Sequence, residues 1–153
     1  MAYEFTLEWE WQLRILLDVM IAAALGGFLG LEREKKNKPA GFRTNMLVAG
    51  GSSLLLVLGR YIAGDMQGPL NTESLGINPT RIIHAIIVGA SFIGTGTIVK
   101  SPKEETIKYL TTAATILFSA GIGISVGLRL YIIAAGVTLI GLVINYLVSR
   151  IYG

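Results

Sequence analysis

The chain contains no cysteine, a single histidine and few charges, with Asp, Glu, Lys and Arg making up 15% of its 153 residues. Without cysteine there can be no disulfide, no thiolate metal ligand and no Cys nucleophile. One histidine, His84, cannot assemble a zinc site when no second His or Cys exists to complete it. No Gly-x-Ser-x-Gly, Walker loop, His-Glu-x-x-His or paired-carboxylate arrangement occurs, so neither an enzyme nor a bound cofactor is expected. The first ten residues hold Glu4, Glu8 and Glu10 and no Lys or Arg, the reverse of the basic start of a signal peptide. The net charge of +3 does not predict nucleic-acid binding, because the basic residues sit beside apolar runs, where membrane topology explains them.

Apolar sequence is abundant. Hydrophobic residues make up 52% of the chain and the mean hydropathy is +0.62, more than a soluble domain of this size needs. Five continuous apolar runs, at about 13–31, 44–64, 82–99, 109–128 and 130–149, each approach the roughly 20 residues that cross a bilayer as a helix. They lack the ten-residue alternation of membrane strands. The expected fold is all-α: one integral membrane domain over 1–153, a polytopic bundle of about five transmembrane helices.

Charge in the connections orients such a bundle. The first loop carries Arg33, Lys35, Lys36, Lys38 and Arg43, and the third carries Lys100, Lys103 and Lys108. The second, around 65–80, is polar and acidic, with basic residues only at its flanks. The positive-inside rule places the first and third loops in the cytoplasm, the N-terminus outside and the C-terminus inside. Pro39-Ala40-Gly41 breaks the first loop, and Thr44 or Asn45 is expected to cap the helix after it.

Nineteen glycines predict close helix packing, because small residues let backbones approach in lipid. The expected contact faces are Ala22, Gly26 and Gly30 on the first span, Gly89, Gly94 and Gly96 on the third, and Gly123 with Gly127 on the fourth. Ionisable groups within spans are costly and so are candidates for function. Asp18 is the clearest. It shares a face with Ala22 and Gly26, could pair with Arg14, and is the one weak candidate for a metal ligand. His84, Ser91 and Thr95 form a polar stripe on the third span. Thr112, Thr115 and Ser119 form a second and Asn45 with Ser52 a third. Thr138, Gly141 and Asn145 make a weaker one. Glu32 and Arg33 sit where the first span meets the cytoplasm, and a Glu32–Arg43 ion pair across the hairpin is expected. The remaining candidates are Thr44, Arg81 and Thr111.

Several of these residues recur in known motifs. Gly27-Phe28-Leu29-Gly30-Leu31-Glu32-Arg33-Glu34, followed by Pro39-Ala40-Gly41-Phe42-Arg43-Thr44-Asn45, resembles the signature of the MgtC/SapB family of bacterial membrane proteins. Arg81 to Gly96 and Leu110 to Gly123 resemble the family's third and fourth segments in order and spacing. Ala85, Ser91 and Lys108-Tyr109 depart from the usual pattern, and neither Asp18 nor His84 belongs to it. The resemblance implies a multi-pass protein of the prokaryotic cytoplasmic membrane, in the short SapB-like form without a soluble C-terminal domain. It implies a role in magnesium limitation or acid stress, exerted by modulating other membrane machinery such as an ion pump or the ATP synthase. The alternative is a small homo-oligomeric channel or transporter with Mg²⁺ as substrate. The expected partners are the lipid bilayer and a second copy of the chain, most simply in a dimer.

Overall fold

The computed structural model describes residues 2–63, 79–100 and 107–152. Five helices follow one another: α1 (Ala2–Lys35), α2 (Phe42–Ile62), α3 (Pro79–Thr97), α4 (Leu110–Gly127) and α5 (Tyr131–Tyr152). Two-residue strands β1 (Val99–Lys100) and β2 (Ile107–Lys108) pair antiparallel, Val99 with Lys108 and Lys100 with Ile107. This short ladder lies inside what reads from the sequence as a plain basic loop. The second loop, expected to be irregular, lies outside the described residues.

Among the described residues, three helices are long and apolar enough to cross a membrane: Trp9–Lys35, Phe42–Ile62 and Leu110–Gly127. The surface agrees with that environment. Leu16, Leu17, Met20, Leu47, Val88, Phe92 and Ile132 are exposed, while Asn45, Ser52, Ser53, Thr112, Thr115, Ser119 and Thr138 are buried. A soluble protein buries its leucines and exposes its amides. Here many large apolar side chains are exposed while hydroxyls and an amide are buried, as hydrocarbon solvent favours.

Helix α4 is the axis, packed against α1, α2, α3 and α5. The tightest point is Ala49 of α2, fully buried where α1 and α4 both reach it. A Cβ added at Gly26 of α1 would lie 2.5 Å from both the Ala49 side chain and the Asn45 carbonyl oxygen, and one at Gly123 of α4 would overlap the Ala49 carbonyl oxygen. Glycine at these two positions is what lets three helix backbones meet. Around this point Ala22, Leu29, Ile122, Val126 and Ala134 form the apolar core.

Helix α3 joins differently. Only Ile86, Ala90 and Gly94, spaced by four, are buried, the last against Ala113 of α4. Gly89 and Gly96, expected to be contact residues, instead face open space. One i, i+4, i+8 stripe suffices to seat this helix, and Gly89 lies about 100° around the axis from Ala90.

The α1–α2 turn is closed by its own atoms. Asn37 takes a left-handed conformation (φ 51°) while Lys38 N–H donates to the Arg33 carbonyl and Asn37 N–H to the Glu34 carbonyl. This is a Schellman ending with Asn in the place of Gly. Ala40 is also left-handed (φ 54°), and Gly41 precedes the first turn of α2 without a side-chain cap of its own. The cap comes from the other helix, as Glu34 Oε2 accepts the Phe42 N–H at 2.8 Å. Neither Thr44 nor Asn45 caps α2, because the helix has begun by Phe42 and both already lie in its first turn.

Candidate functional site

The most concentrated polar chemistry lies at the end of the bundle where α1 stops and α2 and α4 start. Thr112, Thr115 and Ser119 are spaced by three and four, which puts them on one face of α4, and all three are buried. That face meets α1, α2 and α5, each of which contributes one polar side chain.

Asn45 of α2 is fully buried and bonded on both sides of its amide. Its Nδ2 donates to the carbonyls of Ala40 at 2.7 Å and Gly41 at 2.8 Å, while its Oδ1 accepts the Ser119 hydroxyl at 2.7 Å. One side chain therefore ties the hairpin turn to the central helix. Arg33 of α1 is 7% exposed, and its Nη2 donates to Thr115 Oγ1 at 3.1 Å and to Asn145 Oδ1 of α5 at 3.5 Å. Thr115 in turn donates to the Thr111 carbonyl at 2.8 Å. Arg33 Nε, Thr112 Oγ1 and Ser53 Oγ are buried without a hydrogen-bond partner among the described residues.

The expected Glu32–Arg43 pair does not form. Glu32 pairs with Lys36 one turn on, just past the end of its own helix. Arg43 is exposed and, with Thr44, Glu34, Lys38 and Tyr109, lines an open bowl of about 1020 Å³. The i, i+4 partner is already in place, whereas Arg43 lines the bowl, of which Glu32 is not part.

At the other end of the bundle, Asp18 is buried and accepts the Tyr131 hydroxyl at 2.6 Å. Asp18, Tyr131, Arg14 and Arg129 line a cavity of about 350 Å³. The tyrosine, not Arg14, is the hydrogen-bond partner of the carboxylate. Nearby, the rings of Trp11 and Tyr61 lie 4.6 Å apart, as aromatic residues gather at a membrane interface.

The polar stripe of α3 takes no part in either cluster. Arg81, His84, Ser91 and Thr95 are exposed, and Thr95 donates to the Ser91 carbonyl as membrane threonines commonly do. Of the packing residues, Ala22, Gly26, Gly30, Gly94, Gly123 and Gly127 are buried or in close contact between helices; Gly89 and Gly96 are not.

Residues 19–153 match the model of the MgtC family. The chain belongs to the MgtC family. It is 34% identical over 116 residues to YhiD of Escherichia coli K12, covering 76% of this chain and 52% of that protein. Protein SapB of Bacillus subtilis is 35% identical over 125 residues (82% and 52%), and Protein MgtC of Brucella abortus 35% over 126 residues (82% and 48%). The chain spans about half the length of these curated relatives. No solved structure matches it.

Within this MgtC family chain, sequence reasoning singled out Arg33, Asn45, Thr112 and Thr115, and the fold brings all four to one end. It ranked Ser119 and Asn145 only as members of stripes, named Glu34 only as part of the Glu32-Arg33-Glu34 end of the first span, and passed over Tyr131. Asn145 could have been promoted by asking which groups can reach a buried arginine, and Ser119 by asking which hydroxyl can serve the Asn45 amide. Nothing local marks Tyr131, because its partner lies 113 residues away.

Proposed function

We propose that this MgtC family membrane protein is a non-enzymatic modulator of other ion-handling machinery in the cytoplasmic membrane of a prokaryote, acting under magnesium limitation or acid stress. The observation that carries the reading is a lateral groove of about 390 Å³ between α2 and α3, lined by Ala85 and Gly89 of α3 and Gly51 of α2. Gly51 and Gly89 meet nothing across it, and α3 is seated in its own bundle by a single stripe of buried residues. A small-residue face is what another membrane helix packs against. The buried polar groups support the same reading, since Asn45, Ser119 and Thr115 are occupied with holding helices together rather than lining a path. The basic loops favour an N-terminus outside, with the Arg33 end in the cytoplasm.

A second reading, a homo-oligomeric magnesium transporter, draws on the description of E. coli YhiD as a candidate magnesium transporter. Asp18 would be its ligand. Against it, Arg14 and Arg129 border the same cavity, and two guanidinium groups oppose a divalent cation.

Reconstitution separates the two. The purified chain in liposomes should carry no Mg²⁺, H⁺ or monovalent flux, and a membrane ATPase should co-purify with the wild type but not with Gly89→Leu. Robust flux abolished by Asp18→Asn would sink the modulator reading.

A further inference from the structure

Arg33 is a buried cation with neutral partners. Its guanidinium bonds a threonine hydroxyl and, weakly, an amide oxygen, and Nε has no partner among the described residues. The neighbouring carboxylates are committed elsewhere, Glu32 to Lys36 and Glu34 to the Phe42 N–H. Lys35, Lys38 and Arg43 add charge of the same sign around it. Among the described residues Glu32 lies close enough to act on Arg33 electrostatically but is paired with Lys36, and two neutral hydrogen bonds do not cancel the charge of a desolvated arginine.

Next to it is a slot of about 170 Å³ between α1, α4 and α5. Thr115 and Asn145, the two acceptors of Arg33, line the slot. Its floor is apolar, with Leu29 and Gly141 buried. Ala114, Phe118 and Ile144 form the rim and are exposed, so the slot opens sideways toward the bilayer. A polar end beside a buried cation, continuous with an apolar trough, is the outline of an anionic amphiphile.

We propose that this slot binds an anionic phospholipid, with its phosphate against Arg33, Thr115 and Asn145 and the upper part of an acyl chain in the trough. The phosphate supplies negative charge beside the Arg33 guanidinium, strengthened by charge-assisted hydrogen bonds. Basic pockets between membrane helices take lipid headgroups by the same chemistry. This assignment is independent of whether the chain modulates a partner or transports an ion.

The test uses the full chain reconstituted in nanodiscs of equimolar phosphatidylcholine and phosphatidylglycerol with matched chains, extracted in neutral detergent, and the retained lipid counted by mass spectrometry. Wild type should retain phosphatidylglycerol over phosphatidylcholine by about tenfold, the scale of one charge-assisted bond. Arg33→Gln should abolish the preference. Ala114→Phe, which fills the trough from its exposed rim without touching the core, should lower retention while leaving Arg33 in place, and it decides the matter even where Arg33→Gln fails to fold. The double variant Lys35→Gln/Lys38→Gln should keep the preference. Inorganic phosphate alone should not shift the melting of the delipidated protein. Equal retention of the two lipids by wild type, loss of the preference in the lysine variant, or a melting shift with phosphate equal to that given by phosphatidylglycerol would each overturn the assignment.

Discussion

Asn45 offers the sharpest test of how the bundle is held. Its side chain makes three hydrogen bonds at 2.7–2.8 Å in a fully buried position. At about 1 kcal/mol net per bond, Asn45→Ala would lose about 3 kcal/mol. Polar contacts in membrane helices average nearer 0.6 kcal/mol, which gives about 2. Two groups recover part of the loss: the Gly41 carbonyl still accepts the backbone N–H of residue 45 at 3.2 Å, and the Ser119 hydroxyl can turn to a carbonyl of its own helix. The expected destabilisation is therefore about 2 kcal/mol, measured as the shift in chaotrope unfolding in a fixed detergent, followed by fluorescence of Trp9 and Trp11. Asn45→Asp is the more revealing change, because it keeps the shape and replaces the donor with an oxygen facing two carbonyl oxygens. Repulsion or forced protonation should make it worse than alanine by about 1–2 kcal/mol. If Asn45→Asp proves as stable as wild type, the amide is not holding the turn and the reasoning fails.

Other outcomes follow from the same contacts. Gly123→Ala should cost about 1–3 kcal/mol in the same unfolding assay, because the new methyl group overlaps the Ala49 carbonyl and α4 must move away. Gly89→Ala and Gly96→Ala, by contrast, should stay within about 0.5 kcal/mol of wild type, since nothing lies within contact of either. Tyr131→Phe should cost about 1–3 kcal/mol by leaving the buried Asp18 carboxylate without its donor, and adding Asp18→Asn should recover part of that loss. Ala40→Gly should raise stability by up to about 1 kcal/mol, because Ala40 sits at φ 54°, where a Cβ is strained.

The positions of the helices were legible because apolar length is a nearly direct record of bilayer crossing. The run at 109–128 became Leu110–Gly127 and that at 44–64 became Phe42–Ile62. The small-residue faces of α1 and α4 were legible too, since Gly26 and Gly123 could serve nothing else in an apolar run. The face of α3 was not. Ala85, Gly89 and Gly96 look like a packing face by composition, and only the three-dimensional count of neighbours reveals that Ile86, Ala90 and Gly94 do the seating. Pairings were the least legible part. For Glu32 the expected partner was Arg43 across the hairpin, whereas the pair that forms is the local i, i+4 one with Lys36. The partners of Asp18 and Arg33 come from α4 and α5, and no local pattern can say which of several hydroxyls or amides a distant helix will present.

The hairpin turn has a consequence for the order in which the protein is made. Everything that closes it, from the Schellman bonds at Asn37 to the Glu34 cap and the grip of Asn45 on Ala40 and Gly41, comes from residues 33–45, so α1 and α2 can emerge from the ribosome as a finished unit. The acceptors of its buried cation arrive much later. Thr115 lies 82 residues beyond Arg33 and Asn145 lies 112 beyond. At about 5–20 residues per second, the hairpin waits on the order of 6–20 s before α5 is translated. For that interval the nascent hairpin carries a guanidinium that its own helices cannot satisfy. It is a built-in reason for an insertion machine to hold the chain until the last helix is delivered.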